Sequence, residues 1–166
     1  MKDLDKLDPN KNGLHTVPKE ITSSILTTRL RAVCKINRLI DHANDMCLSF
    51  NELRSNKHNE HIEKLRDWIL KNKIIEHIFG PNCHVEIIKQ SHTILNFVAY
   101  SLDNEQVNVI WSASSLKHCG RQVLDLLTSL IRSMRAGPVL HLYWLVKNLN
   151  VEEHTEHTLL LTSHIL

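Results

Sequence analysis

Glycine and proline interrupt helices more readily than any other residues, and this chain of 166 residues holds only four of each. A fold built from strands needs a turn signal roughly every 8–12 residues, so this scarcity argues for long helices with few connections. The apolar residues point the same way. Ile21, Ile25, Leu26, Leu30, Val33, Ile36 and Ile40 recur at helical steps, the stripe of an amphipathic helix. The expected fold class is all-α.

Residues 1–16 are charged and aperiodic, and they are expected to form a loose N-terminal arm. Pro18 suits a first helical turn, where its missing N–H leaves no gap, and the helix it opens is expected to run to about Cys47. Asn51 to Asn59 is polar and expected as a loop. A second helix is expected over about His58–Asn72, with Ile62, Leu65, Trp68 and Ile69 on one face. Ile74–Phe79 continues it until Gly80-Pro81 stops it. Val85, Ile88, His92, Leu95 and Val98 mark a third long helix, through about Leu102. Asp103 and Gln106 have capping-box spacing ahead of Val107, Ile110 and Trp111. The next helix carries Val123 to Met134 and is expected to break at Gly137-Pro138. Val139–Leu149 follows, apolar around much of its circumference. Asn150 and Glu153 have cap spacing for a last helix with Leu159, Leu160, Leu161 and Ile165. That helix reaches Leu166 within an apolar pattern, without glycine or polar cap, and the expectation is a chain cut from something longer.

About seven helices on short connections fit a bundle or a solenoid. Val139–Leu149 reads as a helix sandwiched between neighbours. Trp68, Trp111 and Trp144 fall one to a helical unit, 43 and 33 residues apart, and at helical spacing among Ile and Leu they read as core. An armadillo/HEAT-like helical solenoid over residues 17–166, as a single domain truncated at its C-terminus, is the favoured architecture.

Composition narrows function mainly by exclusion. With 42% hydrophobic and 23% charged residues the chain is globular rather than disordered. A formal net charge of +2 from scattered lysines and arginines makes no nucleic-acid footprint. No apolar run approaches the roughly 18 residues of a membrane span, and the polar start is no signal peptide. The four cysteines, Cys34, Cys47, Cys83 and Cys119, are widely spaced without a CxxC pair. They are expected to be reduced and mostly buried in an intracellular protein, cytoplasmic with the nucleus left open.

Twelve histidines invite a metal reading. His58 with His61, and His154 with His157, have spacings that put each pair on one helix face. A zinc site needs three or four converging ligands, however, and there is no HExxH or finger pattern. These histidines read as solvated, and His92, on an apolar stripe, as a hydrogen-bonded core residue. Cys83-His84 and His118-Cys119 place nucleophile and base types side by side, but sequence neighbours seldom meet in catalytic geometry. Cys34 and Cys47 sit where a small buried hydrophobe is usual. No phosphate loop, nucleophile elbow or paired-carboxylate motif is present. The expected catalytic, cofactor and metal site residues are therefore none.

Three stretches carry a family signal. Ile78–Tyr100 reads IFGPNCHVEIIKQSHTILNFVAY, Val109–Ile131 reads VIWSASSLKHCGRQVLDLLTSLI, and His154–Leu161 reads HTEHTLLL. In order and spacing, over about residues 60–166, they resemble the fat-facets type of large ubiquitin-specific proteases. Gly120 after LKHC and His157 within HTEHT depart from the family pattern. The resemblance implies an armadillo-like region upstream of a papain-like, thiol-protease domain that cleaves isopeptide bonds to ubiquitin. That domain's Gly-Asn-Thr-Cys core and distal histidine box are missing here, so no catalytic residue carries over. The expectation is a non-catalytic scaffold segment, not itself an enzyme, whose partners are ubiquitinated substrates or adaptors. Nucleic acid, membrane, cofactor and small-molecule ligands are not expected. Exposed positions such as Lys89, Lys117 and Arg121 are candidate contacts, and a free-standing armadillo or HEAT adaptor is the alternative.

Overall fold

A computed structural model describes residues 12–49 and 55–166, with side chains at 12–46 and 59–166. Among them every regular element is helical, ten α-helices and several 3-10 turns. The described residues fall into two compact units that meet in sequence at Ile74 and Ile75. The Cys47 thiol, the His58 side chain, residues 51–54 and the first eleven residues of the expected arm lie outside the description.

In the first unit, the last residues of that arm are ordered, because Leu14–Thr16 form a 3-10 turn that buries Leu14. Helix α1 (Val17–Ile21) follows with Pro18 in its first turn, and α2 spans Leu26–Ser49. The single helix expected from Pro18 is thus two. Thr22 Oγ1 donates to the Pro18 and Lys19 carbonyls at 3.1 Å, and Ser23 Oγ accepts the Ile25 N–H at 3.1 Å. Hydroxyls that bond the backbone locally compete with the helical ladder, and Thr22 and Ser23 do so here with three bonds between them. Folded back on α2, α1 is fastened by Lys35, whose Nζ reaches both Glu20 oxygens at 2.8 and 2.9 Å and Thr16 Oγ1 at 3.0 Å. Helix α3 (Ser55–Lys71) starts inside the expected loop and buries Leu65 and Ile69. Lys73, at φ +53°, ends the run as the one non-glycine positive-φ residue among those described.

In the second unit, α4 (Ile74–Phe79) ends at Gly80, where a Cβ would meet the Glu76 carbonyl oxygen at 2.6 Å. The third long helix is again divided, into α5 (Val85–Lys89) and α6 (His92–Val98). Buried Ser91 is the cause. Its Oγ donates to the Ile87 carbonyl at 2.6 Å while its own carbonyl receives Leu95 N–H at 2.9 Å. Helix α7 (Asn104–Ala113) opens on the predicted capping box. Gln106 N–H donates to Asp103 Oδ1 at 2.9 Å, and Asp103 N–H to Gln106 Oε1 at 3.1 Å.

Helix α8 (Gly120–Leu130) buries Val123, Leu124, Leu126, Leu127 and Leu130, and α5, α6, α7 and α10 all pack on it. It ends before Gly137-Pro138, which instead lies in the first turn of α9 (Ala136–Lys147). A proline there needs no N–H partner, so it starts a helix rather than breaking one. The Asn150–Glu153 spacing belongs to a 3-10 turn, Val151–Glu153, in which Asn150 N–H donates to Glu153 Oε2 at 2.8 Å. Helix α10 (Glu156–Ile165) has its own cap, with Thr158 N–H on Thr155 Oγ1 at 3.3 Å. The sandwiched helix is α8 and not, as expected, the segment now seen as α9, which packs on α7 and α10 and buries only Pro138, Leu142 and Val146.

Candidate functional site

The two Cys-His dipeptides, 36 residues apart, are brought together by the turns that precede α5 and α8. Gly80-Pro81 reverses the chain, and Cys83 N–H closes that turn on the Gly80 carbonyl at 2.9 Å. Cys119 sits at the N-terminal edge of α8. Its place is fixed by Gly120, whose missing Cβ would lie 2.1 Å from the Ser114 carbonyl oxygen. The thiols Cys83 Sγ and Cys119 Sγ are buried and 3.7 Å apart. Cys119 Sγ also lies 3.9 Å from the Ala113 carbonyl oxygen. One ring nitrogen of each imidazole is held by backbone: His118 Nε2 is 3.1 Å from the Cys83 carbonyl oxygen, and His84 Nδ1 accepts the Glu86 N–H at 3.2 Å, capping α5. Nothing in the spacing of the four cysteines announced this meeting; it depends on how α5 packs on α8.

The spacing of His154 and His157 suits one helix face, but the two do not share one. His154 lies outside α10, and His157 pairs instead with Asp125 Oδ1 at 3.1 Å. His92 is exposed, because the break at Ser91 restarts the helix and turns the apolar stripe away from it. Among the described residues no group of three or more His, Cys, Asp or Glu side chains converges as a metal would require. Among the described helices, none is long and apolar enough to cross a membrane.

The tryptophans depart furthest from their expected core role. Trp68 and Trp111 are half-buried, and Trp144 is 59% exposed. On α9, Leu140 is 65% exposed one turn from Trp144, and the His141 ring lies nearly parallel to the indole with centroids 6.4 Å apart. His141 is held from beneath by Asn108 of α7, Nε2 to Oδ1 at 2.7 Å. The adjoining α10 exposes Leu159 and Leu160. A groove of about 580 Å³ runs between α7 and the Val151–Glu153 turn, lined by Trp111, Leu124, Leu149, Glu152 and Thr158. Lys89, Lys117 and Arg121 are exposed as expected. Lys89 Nζ bonds Glu86 Oε1 at 2.8 Å, and this bond and charge hold the Glu86 carboxyl below the ordinary glutamate value. Arg121 reaches Asp125 only at 3.9 Å.

Comparison with known proteins places this segment. The chain is 37% identical over 155 residues to ubiquitin carboxyl-terminal hydrolase puf of Drosophila melanogaster, covering 91% of this chain and 4% of that protein. It is 40% identical over 159 residues to ubiquitin carboxyl-terminal hydrolase 34 of Homo sapiens and of Mus musculus, covering 95% of this chain and again 4% of the relatives. No protein-family model matches it. No solved structure matches it either. The similarity runs through both units, so the chain belongs, as one helical segment, to the large ubiquitin carboxyl-terminal hydrolases of the fat-facets type that its motifs resemble.

Proposed function

We propose that this chain is a non-catalytic scaffold segment of a large deubiquitinase, stacked in armadillo- or HEAT-like fashion. Its role is to hold ubiquitinated substrates or adaptors near an active site supplied by other parts of the protein. The observation that carries this reading is the placement of the imidazoles. A cysteine nucleophile needs a histidine positioned to take its proton, yet the nitrogens of His118 and His84 described above are spent on the Cys83 carbonyl and the Glu86 N–H. The apolar side chains left open on α9 and α10 suit a surface that binds other protein. An intracellular setting, cytoplasmic or nuclear, fits cysteines whose resting state is the free thiol.

Two measurements test it. The isolated chain should release no fluorophore from a ubiquitin-linked reporter above a buffer control, and turnover above that control overturns the non-catalytic reading. Deleting the segment from a full-length relative should leave turnover of the small reporter intact while slowing removal of ubiquitin from protein conjugates. Equal loss on both substrates would point to damage at the active site and sink the scaffold role.

A further inference from the structure

We infer that Cys83 and Cys119 are a redox pair, closing reversibly to a disulfide that clasps α5 to α8. This inference does not depend on the proposed scaffold role. Three observations carry it. The sulfurs are already in van der Waals contact at 3.7 Å, though 36 residues separate them. A disulfide needs about 2.05 Å between sulfurs, so the closing movement is under about 2 Å. The two sides divide the labour. Cys119 is fixed, fully buried at the start of α8 with Gly120 jammed against the Ser114 carbonyl, whereas Cys83 lies in the non-helical turn between α4 and α5. Cys83 is also the one with a path to solvent, at 6% exposure against 0%. No third Cys, His, Asp or Glu joins the pair among the described residues, so its geometry matches a two-sulfur bond rather than a three- or four-ligand metal site.

The chemistry balances with a peroxide as oxidant. The Cys83 sulfur attacks one peroxide oxygen; an S–O bond forms, the O–O bond breaks, and the first water leaves with the thiol proton. The Cys119 sulfur then attacks the Cys83 sulfenic acid; the S–S bond forms, the S–O bond breaks, and the second water leaves. Two thiols and one hydrogen peroxide give one disulfide and two waters, with two electrons passing from sulfur to peroxide. A dithiol reductant reverses the bond by exchange.

The test treats the full chain, purified reduced, with graded hydrogen peroxide, blocks the remaining thiols and maps the products by mass spectrometry. The expected product has lost two hydrogens, about 2 Da, with peptides linked through Cys83 and Cys119, and dithiothreitol restores the starting mass. Its Tm should rise by roughly 5–15 °C, since the link closes a long loop in the unfolded chain. Cys34→Ser should keep the cross-link, and Cys83→Ser should lose it. Links to Cys34 or Cys47 as the main product, or Cys83 driven to sulfinic acid while Cys119 stays a thiol, would overturn the inference. Both outcomes are read on the unmutated chain, so failure of a variant to fold cannot hide them.

Discussion

A Cβ at Gly120 would sit 2.1 Å from the Ser114 carbonyl oxygen, backbone against backbone, where no side-chain rotation gives relief. Gly137, in the first turn of α9, has nothing beyond its chain neighbours within 4 Å of its would-be Cβ and no positive φ. The same methyl group should therefore act differently at the two sites. Gly120→Ala is expected to destabilise by about 1–3 kcal/mol through overpacking, and Gly137→Ala to stay within about 1 kcal/mol of the unmutated chain, because lost unfolded-state freedom is offset by contact of the new Cβ with the Pro138 ring. Urea unfolding of the two variants checks this, and equal responses would deny the tight turn at Gly120. Glu86 offers a charge-based counterpart. Its carboxyl is held low by Lys89, so any stability it adds is present above the ordinary glutamate pKa and is lost as pH falls through its own depressed value. Because the pair is exposed, the effect on stability is small and is better read at the group itself. In an NMR titration, Glu86 should titrate below 4.5, and Lys89→Met should move it back toward that value. An unchanged midpoint would remove Lys89 as the cause.

At the scale of elements, helix type was legible throughout, and helix ends where a cap is spelled out in side chains or, as at Gly80-Pro81, where the backbone itself stops the helix. Asp103 and Gln106 satisfy each other's backbone N–H, and that reciprocal pattern is visible as a spacing of three. Asp103→Ala is accordingly expected to lower stability by about 0.5–2 kcal/mol. Thermal unfolding is the measure, with Asp103→Asn sparing most of the loss because its Oδ1 can still accept the Gln106 N–H. The missed breaks at Thr22-Ser23-Ser24 and at Ser91 share another cause. There the apolar periodicity runs on across the break, while short hydroxyl side chains divert backbone bonds that periodicity does not register. Gly137-Pro138 misled for a positional reason. The same two residues end a helix when they follow it and open one when they occupy its first turn, and only the observed end of α8 at Leu130 separates the cases.

Across the whole molecule, what the sequence left hidden was which apolar faces find partners. The patterns of α8 and α9 are both rich in Leu and Val, yet α8 buries its apolar face while α9 leaves Leu140 and Trp144 open. Periodicity states that a face is apolar, and packing decides what covers it. The thiol pair was hidden for the same reason, since it depends on α5 meeting α8. An uncovered surface with Leu140, Trp144, Leu159 and Leu160 has a physical consequence that needs no named partner. Burying such side chains lowers the free energy by about 25 cal/mol for each Å² removed from solvent, so copies of the isolated chain should adhere through it. Static light scattering is expected to show an average mass that climbs with concentration. The double variant Leu140→Lys, Trp144→Ser should flatten that rise with little change in Tm, because both side chains face solvent already. Leu142→Ala, two positions from each on the buried face of α9, should do the reverse, lowering stability by about 2–5 kcal/mol while the outer surface is unchanged. A mass independent of concentration in the unmutated chain would mean that these side chains are covered in solution, and the exposed face of α9 would have to be withdrawn.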